Sequence, residues 1–148
     1  MNAAVLPDHL PDLGLDLRKT PDLGDAATRA RLSRPAIAAF FSLVEKWDLR
    51  NEDAMALLGG ASHGRFYELK RSRKGVLSQD ELTRISLLIG IFKALNILFS
   101  QKLANQWASR PNSNVMFNNA PPLRLLVRGG VPGMIGVRRL LDSRRVGR

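Results

Sequence analysis

The feature that most constrains the fold is a long apolar stretch that begins with a strong helix-start signal. Ser78 and Glu81 form a capping-box pattern, in which each side chain can bond the other's backbone N–H. Apolar residues then recur at two helical registers, Leu82, Ile85, Ile89, Phe92 and Phe99 on one face and Leu88, Ile91, Leu95 and Leu98 on another. A surface helix buries only one apolar face. The sequence therefore predicts a helix over 78–99 that is central to the fold or that also forms a dimer interface.

Periodic apolar residues and turn residues predict six further helices and no strand. These helices are expected at about 34–47, 51–58, 62–72, 101–109, 121–127 and 132–142. Pro35 suits a first helical turn, and Asn51 and Ser62 suit helix N-caps. Glycine pairs 59–60 and 129–130 are expected to end helices. Residues 1–33, an acidic segment rich in proline, are expected to be weakly structured.

The charge of the chain favours a polyanionic partner. The 148 residues carry a formal net charge of +10 and a pI of about 11.2. Residues 62–74 carry +4 and residues 121–148 carry +6, whereas residues 1–25 carry −3. A surplus of this size is typical of proteins that bind nucleic acid, although a basic but inert surface is the alternative.

Several functional classes are excluded or disfavoured by composition. There is no cysteine, so disulfides and thiolate metal sites are excluded, and the two histidines are far apart. Acidic pairs at 52–53 and 80–81 lie where helix capping explains them. We therefore predict no catalytic residue, metal or cofactor, and no enzyme. Without a signal peptide or an apolar run of roughly 18 residues, a cytoplasmic protein is predicted.

The segment from 51 to 74 has the pattern of a helix-turn-helix. A short helix, a glycine turn and a basic helix follow one another, and the second helix of this motif enters the DNA major groove. Arg65 and Arg71 are predicted to read guanine, and Lys70, Arg73 and Lys74 to bind phosphates. The predicted DNA-binding residues are Ser62, His63, Arg65, Lys70, Arg71, Arg73 and Lys74. An ordinary helical hairpin with a solvated basic face is the alternative.

The order of five segments identifies a family resemblance. They are the apolar helix at 84–99, W-A-S-R-P-N at 107–112, Phe117, P-P-L-R-L-L at 121–126, and V-R-R-L-L at 137–141. Together they resemble the MbcA/ParS/Xre antitoxins, whose partners are RES-domain toxins. The chain departs from the family in Asn118 and Asn119 and in its Arg-rich ending.

This resemblance implies an all-α fold and a function. Residues 34–100 would form an Xre-like helix-turn-helix and dimerisation domain, with the homodimer made through the 78–99 helix. Residues 101–148 would form a small helical toxin-binding domain, whose basic tail blocks the active site of a toxin that degrades NAD or transfers ADP-ribose. The protein would also repress its own operon. The alternatives are a stand-alone helix-turn-helix regulator and a helical adaptor whose acidic N-terminus covers its own 62–74 segment.

The predicted toxin contacts lie in the last third of the chain. Arginine is favoured in the tail because its planar fork pairs carboxylates through two hydrogen bonds. The predicted toxin-binding residues are Trp107, Phe117, Leu123, Arg138, Arg139, Arg144, Arg145 and Arg148.

Overall fold

The computed structural model describes residues 21–146, and over that part of the chain every regular element is a helix. The elements are α1 Ala26–Lys46, α2 Asn51–Leu57, α3 His63–Ser72, α4 Gln79–Leu98, α5 Gln101–Gln106, the 3-10 turn Trp107–Ser109 and α6 Pro122–Val146. The all-α prediction is confirmed. The predictions made for residues 1–20, and for Arg148, lie outside the described residues.

The central helix is α4, as its two apolar faces predicted. Ser78 Oγ accepts a hydrogen bond from the Glu81 N–H at 3.1 Å, and the Glu81 carboxylate accepts one from the Ser78 N–H at 2.9 Å. The capping box is therefore present. Leu88 and Ile91 are fully buried, as are Phe92 and Leu95, because α1 and α6 both pack against α4. Within one chain, the two apolar faces are explained by this central position, and the homodimer stays a prediction.

Helix α1 corrects the prediction that the first helix begins near Arg34. It begins at Ala26, because Asp25 caps it by accepting hydrogen bonds from the backbone N–H and the hydroxyl of Thr28. Pro35 consequently lies inside the helix rather than in its first turn. Ser33 is buried two residues before the proline and accepts a hydrogen bond from the Leu77 N–H at 2.8 Å. The end of the segment predicted to be weakly structured thus belongs to the core.

The start of α2 also differs from the prediction. Arg50 occupies the N-cap position without a side-chain capping bond, and Asn51 is the first helical residue. The Asn51 amide instead donates to the Tyr67 hydroxyl and accepts from Lys70, so it joins α2 to α3. Gly59 and Gly60 have φ values of +97° and +87°, which confirms that they end the helix.

The last third of the chain adds a helix with a sharp break. Gly130 has φ 57° and ψ −147°, so it divides α6 into segments 122–129 and 131–146, as the glycine pair predicted. The second segment ends at Val146 rather than near Asp142. Buried side chains from both segments, Leu126, Met134, Val137 and Leu141, belong to the same hydrophobic core as α1 and α4.

Candidate nucleic-acid and partner-binding sites

Helices α2 and α3 form a compact helix-turn-helix whose second helix is fixed from beneath. Phe66 and Leu69 on α3 are buried, and the Phe66 ring lies 5.6 Å from the Phe41 ring of α1. Ser62 caps α3 by accepting from the Arg65 N–H at 3.2 Å, which confirms the predicted cap. The opposite face of α3 carries Gly64, Tyr67, Glu68 and Arg71, all of them exposed. We refer to these four residues as the outer face of α3.

Arg65, predicted to read guanine, is bound within the chain. Its guanidinium donates two hydrogen bonds to the Glu81 carboxylate, at 2.6 and 3.2 Å. Burial raises the pKa of Glu81, but the Arg65 and Ser78 hydrogen bonds outweigh burial, so the pKa lies below its ordinary 4.5. Glu81 therefore ties α3 to the start of α4, and in this arrangement Arg65 holds the position of α3.

The other predicted DNA-binding residues have different surroundings. The His63 ring stacks on Tyr67 with centroids 6.3 Å apart, and Arg71 pairs with Glu68 at 2.6 Å. Arg73 ends α3 in the left-handed conformation and places its guanidinium over the Phe41 ring, 4.7 Å from the centroid.

The two lysines near the end of α3, Lys70 and Lys74, also have different surroundings. Lys70 donates a hydrogen bond to Asn51, whereas the exposed Lys74 side chain has no hydrogen bond or ion pair with any described residue. His63, Arg71 and Lys74 therefore remain exposed on or beside α3, whereas Arg73 packs against the Phe41 ring.

Trp107 and Phe117, predicted as toxin contacts, pack against each other in the core. Their rings meet edge to face with centroids 5.6 Å apart, and their exposed fractions are 7% and 4%. The loop between them is held by Asn112 and Asn114, whose side chains accept from backbone N–H groups two residues further on. The aromatic pair therefore fixes the shape of this loop.

The four arginines of α6 between residues 138 and 145 divide into two groups. Arg138 lies against Gly90 of α4, at the point where an added Cβ would meet its guanidinium, and it donates to Asp142 at 3.0 Å. Arg145 lies 3.6 Å from the same carboxylate. Arg139 and Arg144 are exposed and make no ion pair with a described residue.

Leu123, predicted as a toxin contact, is half-buried at the start of α6. Leu123 lines a cleft of about 300 Å³ together with Arg124, Val127 and Arg128. Val115 and Met116, in the loop between Trp107 and Phe117, were not predicted as contact residues, although they are 92% and 39% exposed. The signal that could have found them is an apolar pair inside an otherwise polar, Asn-rich loop.

Residues 21–146 contain neither a candidate metal cluster nor a candidate membrane span. No group of three or more His, Cys, Asp or Glu side chains there could hold a metal ion. Within the same residues, no helix is both long and apolar enough to cross a membrane.

Comparison with known proteins agrees with this geometry. Residues 25–90 match the family described as the antitoxin Xre-like helix-turn-helix domain, and this match begins at Asp25, the cap of α1. The chain is also 35% identical over 112 residues to the uncharacterized protein y4oB of Sinorhizobium fredii (strain NBRC 101917 / NGR234), covering 75% of this chain and 84% of y4oB. No solved structure gives a significant match. The chain therefore belongs to the same family as y4oB and contains an antitoxin Xre-like helix-turn-helix domain at residues 25–90, and every regular element between residues 21 and 146 is a helix.

Proposed function

We propose that this chain is the antitoxin of a type II toxin–antitoxin pair and neutralises a RES-domain toxin that uses NAD. The observation that best supports this is the end of α6. Leu141 is the last buried residue of the part of the chain that the structure describes, and residues 143–146 continue the helix with every side chain exposed. Arg144 is thus carried beyond the core with no described partner, and Arg145 lies beside it with only the 3.6 Å contact to Asp142.

The chemistry of an NAD pocket fits this arrangement. A toxin that binds NAD holds its phosphates and ribose with buried polar and acidic groups. Arg144 and Arg145, with Arg148 beyond the described residues, would pair those groups through charge-assisted hydrogen bonds. Occupation of the pocket would exclude NAD whether the toxin degrades it or transfers ADP-ribose.

The proposal includes DNA binding and a homodimer. The outer face of α3 would enter the major groove of the operator of the chain's own operon, with Lys74 near the phosphates. A homodimer would present two such helices to two half-sites. The part of α4 left accessible by α1 and α6 includes Ser86, Leu87 and Ile97, and we assign the dimer contact of the 78–99 helix to this strip.

Co-expression with a RES-domain toxin tests the proposed neutralisation. Of the residues removed by deleting 143–148, those that the structure describes, 143–146, all have exposed side chains. The truncated protein should therefore fold normally but fail to restore growth. Lys74→Ala, at the DNA-binding end, is the matched control and should restore growth fully. Growth restored by the truncated chain would overturn the role of the tail. Failure of the full chain to restore growth would favour a stand-alone regulator.

A further inference from the structure

The outer face of α3 contains an exposed carboxylate that folding does not require. Glu68 and Arg71 form an ion pair in which Arg71 Nη2 bonds both carboxylate oxygens, at 2.6 and 2.8 Å. The Arg71 side chain is 73% exposed and that of Glu68 is 57% exposed. An exposed pair of this kind contributes little to stability. Its position on the helix that faces DNA is therefore more informative than its effect on folding.

A carboxylate on that face is repelled by phosphates, and the lone pairs that Arg71 leaves unused can accept only from a hydrogen-bond donor on the DNA. In the major groove the available donors are the amino groups of cytosine N4 and adenine N6. Adenine presents its N7 acceptor beside N6, which repels a carboxylate and suits an amide side chain instead. Cytosine has no acceptor on that edge, so it is the base that Glu68 fits.

Arg71 can bind a guanine without releasing Glu68. The ion pair uses only its Nη2 nitrogen, so Nε and Nη1 remain available to guanine O6 or N7. Three helical residues rise about 4.5 Å along the helix axis. Because that rise is close to the 3.4 Å spacing of base pairs, the two side chains reach the same base pair or adjacent ones.

Gly64 keeps the approach to the bases open. It lies one helical turn before Glu68, and a Cβ built on it would meet no atom within 4 Å. The fold therefore does not require glycine here, although glycine weakens a helix relative to alanine. Its missing side chain lets the first turn of α3 come close to another molecule.

We propose that Glu68 is a specificity-determining residue that selects a cytosine in the operator, with Arg71 reading a guanine in the same or the adjoining base pair. This inference rests on the proposed DNA binding and adds a sequence class to it. Glu68 and Arg71 then take the base-reading role that was predicted for Arg65, whose guanidinium is bound to Glu81.

Selection of binding sites from a random double-stranded DNA library, with the full chain, tests this. The wild-type protein should enrich a motif in which one C·G pair is preferred about ten- to a hundredfold over the alternatives. Glu68→Ala should lose that preference and bind random DNA more tightly, because a charge facing the phosphates is removed. Glu68→Gln should shift the same position towards adenine, which glutamine reads through two hydrogen bonds. The matched control is Glu45→Gln, which neutralises an exposed carboxylate on α1 and should keep the wild-type motif.

The outcomes separate this inference from the proposed function. A wild-type motif that Glu68→Ala and Glu68→Gln both leave unchanged would overturn the role of Glu68 while operator binding stands. If the wild-type chain enriches no sequence, the DNA-binding part of the proposed function fails and the inference fails with it. Circular dichroism of both Glu68 variants should match the wild type, since this side chain is exposed.

Discussion

Disruption of the Arg65–Glu81 pair should show whether Arg65 positions α3 or reads DNA. Glu81→Ala removes the capping contact with Ser78, about 0.5–1 kcal/mol, and the hydrogen bonds from Arg65. Hydrogen bonds to charged groups contribute about 1.5–3 kcal/mol, which we reduce to about 1–2 kcal/mol because the Arg65 side chain is 40% exposed. We expect Glu81→Ala to cost about 1.5–3 kcal/mol and Arg65→Ala about 1–2 kcal/mol.

A double-mutant cycle measured by urea denaturation is the appropriate assay. The two single variants and the double variant should give a coupling energy of about 1–2 kcal/mol, because each substitution removes the same ion pair. A coupling energy within the usual additivity error of about 0.5 kcal/mol would refute the reasoning. So would an Arg65→Ala protein of wild-type stability that has lost operator specificity, because Arg65 would then act on DNA directly.

Three further predictions concern the same fold. The pKa of Glu81 is lowered, so its ion pair with Arg65 stabilises the protein at pH values above the ordinary pKa of a glutamate. The difference in unfolding free energy between the wild type and Glu81→Gln should therefore shrink as the pH falls from neutral to about 3. If urea denaturation gives the same difference over this whole range, the assigned ion pair is wrong. Gly133→Ala should destabilise the protein by about 1–3 kcal/mol, because the added Cβ would lie 2.7 Å from the Leu125 carbonyl oxygen. Gly136→Ala is the control: its Cβ would meet no atom within 4 Å, so it should stabilise the helix by about 0.5–1 kcal/mol. Equal melting temperatures of the two variants would count against this packing. Phe117→Ala should cost about 3–5 kcal/mol in urea, and a loss below 1 kcal/mol would show that Phe117 is not a core residue.

Signals between residues close in sequence predicted much of the fold. The capping box at Ser78 and Glu81, the Ser62 cap and the break at Gly130 each depend on residues within one or two helical turns. The predicted start of α1 near Arg34 was wrong for a physical reason. Pro35 is a strong local signal for a first turn, but the Asp25 cap and the core position of Ser33 extend the helix beyond it.

The binding sites were harder to predict because charge in a sequence does not show whether a cation is already paired. Arg65 and Glu81 are 16 residues apart, so only the fold reveals that the guanidinium is bound. Arg73 is similarly placed over Phe41. Trp107 and Phe117 were predicted as toxin contacts because they stand in the motifs of the family resemblance, yet their rings pack edge to face in the core.

Both proposed binding surfaces are supported by α4, and this determines which variants can separate the two activities. Glu81 holds α3 through Arg65, and Gly90 receives the Arg138 side chain of α6. A substitution at either contact acts on folding first, so a loss of DNA binding or of neutralisation in such a variant would not identify a binding residue. Exposed residues beyond those contacts are different. Glu68 and Arg144 lie outside the core, so their substitutions should leave stability nearly unchanged, and each should affect only the activity of its own surface.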